Sequence, residues 1–275
     1  MNKLILGRYF PGNSVLHQLD PRAKLMAALY FIGLLFYVEN GQGYLYLFIF
    51  TLMMMRLSRV ALMTYIRGVK PLIWLILFAT CLRVLFTGGG TVYFNMGPFI
   101  ISSFGLLTGI YTFSRFVMII FVSTIVTLTT KPIDLTDAIS FLLHPLKYVK
   151  IPVEDFVLML TIALRFIPNL LDETQKVMDA QRARGTVFGE GNLLQQMKKL
   201  VPIILPLFAS SLNRAEAMAD VMEVKGYQSG KKRSSFRQLS WSRRDSLCLM
   251  GMVVLTLGLH VLNEVNVLLL IASIY

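Results

Sequence analysis

Long charge-free apolar runs, separated by short polar stretches, fill most of the chain. They lie at Leu25–Val38, Asn40–Met55, Pro71–Leu82 (continuing past Arg83 to Phe86), Gly105–Thr130 (interrupted by Arg115) and Ser246–Asn263. About 20 residues, each rising about 1.5 Å, cross a hydrocarbon core of roughly 30 Å, so the runs predict about five transmembrane helices. The first three are short unless Lys24, Arg56 and Lys70 reach out to the interface.

Between the fourth and fifth runs the pattern changes. From Pro152 to Arg184, apolar residues recur at helical spacing (Phe156, Val157, Leu160, Ile167, Leu170, Leu171), with Glu154 and Asp155 in the first turn and Gly185 as a stop. Asn192 to Lys225 predicts a second long helix, apolar through Phe208, then polar, and stopped by Gly226. A shorter helix is predicted ahead of both, capped by Asp134 or Thr136 and ending near His144-Pro145. Phe156–Leu171 and Leu200–Leu212 are poor membrane spans. The first contains Arg165 and Pro168 and the second Pro202 and Pro206, and a hairpin of the two would export Lys176, Arg182, Arg184, Lys198 and Lys199. Their apolar halves are expected to pack on each other, on the spans, or in the interface plane.

The predicted architecture is therefore an all-α integral membrane protein. Residues 1–130 form a tail and four transmembrane helices, 131–245 a cytoplasmic helical coupling region with two long helices, and 246–275 the last transmembrane helix.

Composition agrees with this class. The 275 residues are 55% hydrophobic and only 15% charged, with a mean hydropathy of +0.63, far from a soluble domain. A net charge of +12 raises nucleic acid as a partner, but the cations sit where an anionic inner leaflet would hold them. Lys3, Arg8, Arg22 and Lys24 precede the first run; Arg56, Arg59, Arg67 and Lys70 link the second and third; residues 131–245 hold 17 Lys and Arg against 12 Asp and Glu. The links near Glu39–Gln42 and Thr87–Ser103 hold no cation. This places the N-terminus and coupling region in the cytoplasm of a cell membrane and the C-terminus outside, with membrane lipid and not nucleic acid as the partner. The first long apolar run has no small-residue cleavage site after it, so no cleaved signal peptide is expected.

Arg83 and Arg115 interrupt apolar runs. Arg83 is near an outer end and can reach water; Arg115 is deeper and is expected to bond carbonyls or hydroxyls such as that of Ser123. Cys81 and Cys248 read as buried inert thiols, and three scattered histidines make no metal cluster. Neither metal nor cofactor is expected. The run Gly226–Arg233 has three residues between its glycines, lacks Ser or Thr after the first Lys, and follows a helix, so it is not a phosphate loop. Lys231-Lys-Arg233 and Arg237, with Phe236 and Trp241, instead suit anionic headgroups. Methionines such as Met159, Met197, Met218 and Met222 suit surfaces that repack, or simple core filling.

One short phrase occurs twice in the coupling region: Asp179-Ala-Gln-Arg182-Ala183-Arg184-Gly185 and Asp220-Val-Met-Glu223-Val224-Lys225-Gly226. Both copies end a predicted helix, with Asp six residues before Gly and a cation just before it. Helix C-termini carry unpaired carbonyls and partial negative charge, so Gly and a preceding cation also suit an ordinary cap. Capping does not require Asp at a fixed offset, nor two such stops in one segment. An Arg projecting past a helix end can bind carboxylates in a fork, whereas Lys acts as a point charge, so the copies suggest two similar but non-identical partner grooves.

At these residues the chain resembles the transmembrane T component of energy-coupling factor transporters, the prokaryotic importers of vitamins and metal ions. His17-Gln-Leu-Asp-Pro-Arg22-Ala-Lys24-Leu is similar to that family's pre-span signature, Ala183-Arg184-Gly185 matches its Ala-Arg-Gly motif, and Glu223-Val224-Lys225-Gly226-Tyr227 resembles the second copy. The second copy has Val224 and Lys225 where Ala and Arg are usual. The resemblance implies a non-catalytic scaffold whose two helix ends insert into grooves of two cytoplasmic ATP-binding-cassette ATPase subunits. It also implies that the helices behind them and the spans hold a small substrate-binding membrane subunit. Two other classes compete. A membrane-embedded lipid-modifying enzyme would use Asp179, Arg182 and Arg184, but no second acidic cluster follows. A self-sufficient carrier or channel would need more midplane polarity than these spans carry.

Overall fold

The computed structural model describes residues 9–10, 12–96, 99–149, 152–228 and 240–272. Lys3, Arg8, Lys231–Arg233, Phe236 and Arg237, on which parts of the charge and headgroup readings rest, lie outside the described residues. The chain divides into two compact units, residues 1–138 with 238–275, and residues 139–237.

In the first unit, α1 (Pro21–Tyr37) starts where Asp20 accepts the Arg22 amide and Pro21 occupies the first turn. α2 spans Gly41–Ser58. α3 (Leu62–Val69) passes through a short 3₁₀ turn at Lys70–Leu72 into α4 (Ile73–Phe86). That helical stretch begins nine residues before the Pro71 expected to open it, because Pro is tolerated in a first turn and the 3₁₀ turn restarts the helix there. α5 (Ser103–Thr129) is capped by the Ser102 hydroxyl, which accepts the Gly105 amide at 3.0 Å. α9 runs from Arg243 to Ala272.

Three stretches are long and apolar enough to cross a bilayer: Leu62–Phe86, Ser103–Thr129 and Arg243–Glu264. α1 and α2, with 17 and 18 residues, reach about 26–27 Å, a little under a full hydrocarbon core. The protein is thus a helical membrane protein, with one departure from all-α. The cation-free link between α4 and α5 contains a two-stranded antiparallel hairpin, β1 (Val92–Met96) and β2 (Phe99–Ser102). Ser103 ties its base to the glycine turn, its amide donating to the Thr91 carbonyl (2.9 Å) and its hydroxyl accepting the Thr91 amide (3.2 Å).

The core of this unit joins Phe31, Leu34 and Leu35 of α1 and its C-cap Val38 to Tyr44 and Leu47 of α2, Met118 of α5, and Leu255 and Leu259 of α9. Arg115 does not reach Ser123. Its guanidinium donates to the Tyr44 hydroxyl and lies over the Phe36 and Tyr44 rings at 5.1 and 5.8 Å. Tyr44 itself stacks on Tyr111 at 4.8 Å. The Tyr44 hydroxyl and two aromatic rings take up part of the guanidinium, while its buried Nε keeps no hydrogen-bond partner among the described residues, an arrangement that one-dimensional patterning could not show. Arg83 is exposed in the last turn of α4. Cys81 is exposed and Cys248 half-buried, so the buried reading fails for Cys81. Cys81 belongs to a helix whose apolar face is mostly uncovered within the chain.

At the start of α9 a carboxylate takes the place of a loose end. Asp245, 1% exposed, accepts the Asp20 amide (2.7 Å), the Ser242 amide (2.7 Å) and the Ser242 hydroxyl (2.8 Å). Lys24 is likewise buried and donates to the Thr129 carbonyl at 3.0 Å. These bonds fasten the entry of α1 to the start of α9 and the end of α5.

α6 (Pro132–Leu143) starts at Pro132, so neither residue expected to cap it does so. Asp134 is in its first turn, and the Thr136 hydroxyl donates inward to the Ile133 carbonyl at 2.6 Å. Pro132 with its fixed φ opens the helix instead. The second unit is built on α7 (Val153–Ala183) and α8 (Leu193–Val224), within a residue or so of the predicted bounds. Both continue through their internal prolines, Pro168, Pro202 and Pro206.

Candidate functional site: two helix ends

The sequence of each repeated phrase dictates its local geometry. At the end of α7 the Gly185 amide donates to the Arg182 carbonyl (2.9 Å) and the Thr186 amide to the Gln181 carbonyl (3.0 Å). At the end of α8 the Gly226 amide donates to the Glu223 carbonyl (2.8 Å) and the Tyr227 amide to the Met222 carbonyl (2.9 Å). Each is a Schellman motif with the same two bonds at the same offsets. Gly185 and Gly226 have φ of +86° and +74°, a left-handed exit that a side chain disfavours. Arg184 and Lys225 therefore occupy equivalent C-cap positions.

Both cations are exposed, and among the described residues no hydrogen bond or ion pair engages either one. Ala183, Gly185, Val224 and Gly226 around them are exposed too, Val224 at 89%. An uncovered Val beside an unpaired cation at a helix tip has no role in this chain's own packing. The supporting residues behave differently in the two copies. Asp179 accepts from Arg182 (2.7 Å) and Gln175 (2.9 Å), and Arg182 also lies over the Phe188 ring at 5.8 Å. Arg182 is thus held within the chain while Arg184 is left free, a distinction the sequence did not make. In the second copy the residue three after Asp220 is Glu223, so the same ion pair cannot form. The shared Asp offset carries no common bond, and Asp220 and Glu223 are simply exposed.

The two helices run in opposite directions. Near the α8 terminus the Tyr227 hydroxyl donates to Asp155 in the first turn of α7 (3.2 Å). At their middle Arg214 pairs with Glu173 (3.1 Å) and covers the Phe166 ring at 5.5 Å. At the other end the Lys199 ammonium donates to the Val187 and Glu190 carbonyls (2.7 and 2.9 Å), folding the connection back on α8. Lys225 consequently sits beside the Leu158–Arg165 stretch of α7, with which it lines an open groove of about 590 Å³. Arg184 lies 19 to 26 residues further along α7, roughly 30–40 Å away at 1.5 Å per residue. The two tips are at opposite ends of one antiparallel pair.

Sequence reasoning missed the residues that set this arrangement: Tyr227 with Asp155, Arg214 with Glu173, and Arg165 beside Lys225. Folding the two predicted helices back on each other about the Gly189–Gly191 turn would have brought these residues together.

The apolar first half of α8 and parts of α7 are largely uncovered in this unit. Ile167 and Leu171 on α7, and Leu200, Val201, Ile204, Leu205, Phe208 and Leu212 on α8, are all exposed. Such a continuous apolar face marks an interaction surface.

Known proteins resemble this chain over nearly its whole length. Residues 12–236 match the family described as cobalt transport protein, CbiQ. The energy-coupling factor transporter transmembrane protein EcfT 1 of Listeria monocytogenes is 54% identical over 96% of this chain and 99% of its own length. EcfT of Lacticaseibacillus paracasei is 52% identical over 93% of this chain and 97% of its own, and EcfT of Bacillus subtilis 42% over 93% and 96%. With near-complete coverage on both sides, the chain belongs to the CbiQ family of transport proteins, among the transmembrane proteins of energy-coupling factor transporters.

Proposed function

We propose that this chain is the transmembrane T component of an energy-coupling factor importer, a scaffold in which the tips of α7 and α8 dock two cytoplasmic ATP-binding-cassette subunits. One observation carries this reading: two Schellman-terminated helices, antiparallel and packed together, each leave a cation unpaired at the C-cap, roughly 30–40 Å apart along α7. A single small ligand cannot span that gap, but two nucleotide-binding subunits can each take one tip.

The bonds between α7 and α8 make the pair a lever. Motion of an ATPase against one tip is passed to the apolar face of the same helices, where a small substrate-binding membrane subunit is held and reoriented. That exposed face supports a membrane-embedded partner. Hydrolysis belongs to the ATPases, and substrate choice, a vitamin or a metal ion, to the capturing subunit. α1 and α2 complete five spans beside the three longer helices, with the exposed Arg56 at the interface. The N-terminus and the paired helices are cytoplasmic and the C-terminus is outside, following the placement of the cations in a bacterial cell membrane.

The test is reversal of both tips, Arg184→Glu with Lys225→Glu, in the complex reconstituted into liposomes with its ATPases and capturing subunit. ATP-driven uptake is expected to vanish while insertion of the variant is unchanged. Full uptake by the double variant would refute the docking reading.

A further inference from the structure

The two tips share a backbone but differ in what surrounds them. Lys225, Gly226, Tyr227 and Gln228 close one end of the 590 Å³ groove, and Leu158, Ile162 and Phe166 of α7 with Met218 and Met222 of α8 give it an apolar floor. Arg165 and Lys225 both line it, and none of its lining residues is Asp or Glu. Arg165 is exposed, and among the described residues no carboxylate or carbonyl engages its guanidinium. No residue of the 183–186 tip lines that groove or the smaller one around Arg214.

Two cations on an apolar trough, with no Asp or Glu among its described lining residues, constitute a charge pattern in search of a complement. The second tip also lacks the guanidinium that Arg184 gives the first: Lys225 offers a compact charge without the planar fork. Arg165 brings a guanidinium to the same groove from the neighbouring helix.

Resting on the docking reading, we propose that Arg165 is a specificity-determining residue of the second ATPase site. The partner there presents a carboxylate to Arg165 and Lys225 together and seats an apolar side chain on the Phe166–Met222 floor. The first site, around Arg184, takes a carboxylate or carbonyls alone. The two ATPases therefore meet this chain through chemically different grooves, and an ATPase suited to one end is disfavoured at the other by an unfilled apolar trough or an unmatched carboxylate.

The experiment measures retention of each ATPase by the detergent-purified complex, with Arg165→Gln, Arg165→Lys and Lys225→Arg in the full chain. Arg165→Gln is expected to weaken the ATPase at the α8 tip about tenfold and to leave the one at the α7 tip at wild-type level. Arg165→Lys should lose less, and Lys225→Arg combined with Arg165→Gln should recover most of the loss. Wild-type retention of both ATPases by Arg165→Gln, while Lys225→Glu still releases one, overturns this proposal and leaves the docking reading standing. Retention of both by Lys225→Glu sinks the docking reading itself. Loss of co-purified anionic phospholipid from Arg165→Gln with no change in either ATPase would assign the groove to lipid and overturn the proposal. Equal loss of both ATPases, in a variant whose size-exclusion profile has changed, would mean a structural role for Arg165, and the proposal would fall.

Discussion

Replacing Gly185 or Gly226 by Ala isolates the backbone contribution to each tip. An ideal Cβ built on either glycine meets no atom within 4 Å, so the substitution creates no clash and acts through φ alone. Holding an L-residue in the left-handed region costs about 1–2 kcal/mol, which multiplies the open population of the cap by roughly 5–30. The amides to follow by hydrogen exchange are those of Gly185 and Thr186, bonded to the Arg182 and Gln181 carbonyls, and those of Gly226 and Tyr227, bonded to the Glu223 and Met222 carbonyls. Each Ala variant should lose protection by that factor at its own tip and keep it at the other. Asn, which tolerates this conformation better than Ala, should fall between Gly and Ala. The loss should be smaller at Tyr227 than at Thr186, because the Tyr227 hydroxyl is also held by Asp155 at 3.2 Å. Retention of the ATPases should follow the same order, since an open cap no longer presents its cation in the docking geometry. Ala variants as protected as Gly, or Asn worse than Ala, would refute the reasoning.

Two further outcomes test the joints of the two units. For the pair that links α7 and α8, whose side chains are 35% and 27% exposed, a double-mutant cycle of Arg214→Met with Glu173→Gln should give a coupling of about 0.5–1 kcal/mol; each single variant should also raise ATP hydrolysed per substrate imported, and unchanged stoichiometry would argue against the proposed lever. Asp245→Ala strips three bonds from one buried carboxylate site and strands the Asp20 amide, so it should destabilise by about 2–4 kcal/mol, read as a lower Tm in detergent, whereas Asp245→Asn, which keeps an acceptor oxygen, should lose less.

What was legible in the sequence follows the range of the physics. Helix existence and ends are local, written in periodicity, Pro and Gly, so α7 and α8 came out within a residue or so and both cation-Gly stops fell at helix ends. α6 was misread at its start because Asp134 and Thr136 look like caps, whereas Pro132 opens the helix two residues earlier. The hairpin at residues 92–102 was hidden because its link contains glycines and no charge, and such a stretch reads as a loop until its strands find each other. Long-range partners stayed invisible for the same reason. Nothing in the run around Arg115 names Tyr44 and Phe36, which lie on other helices, as the cage for its charge. The repeated Asp was the most misleading signal. Its matched offset suggested a shared role, yet Asp179 serves Arg182, whereas the residue three after Asp220 is the like-charged Glu223.

That asymmetry bears on how force could pass through the pair. If both tips were chemically identical, an antiparallel pair would be close to two-fold symmetric, and either ATPase could occupy either end without consequence. Here one tip has its neighbouring Arg182 and its connection tied down by Asp179, Phe188 and Lys199, and the other has Tyr227 fastened to the start of α7. A push on Lys225 is therefore delivered to both helices at once, through Tyr227 and Asp155. A push on Arg184 enters α7 and reaches α8 through the loop or through the Glu173–Arg214 crossing. Cutting that crossing should then impair transmission from the α7 tip more than from the α8 tip, an inequality that a symmetric lever would not produce.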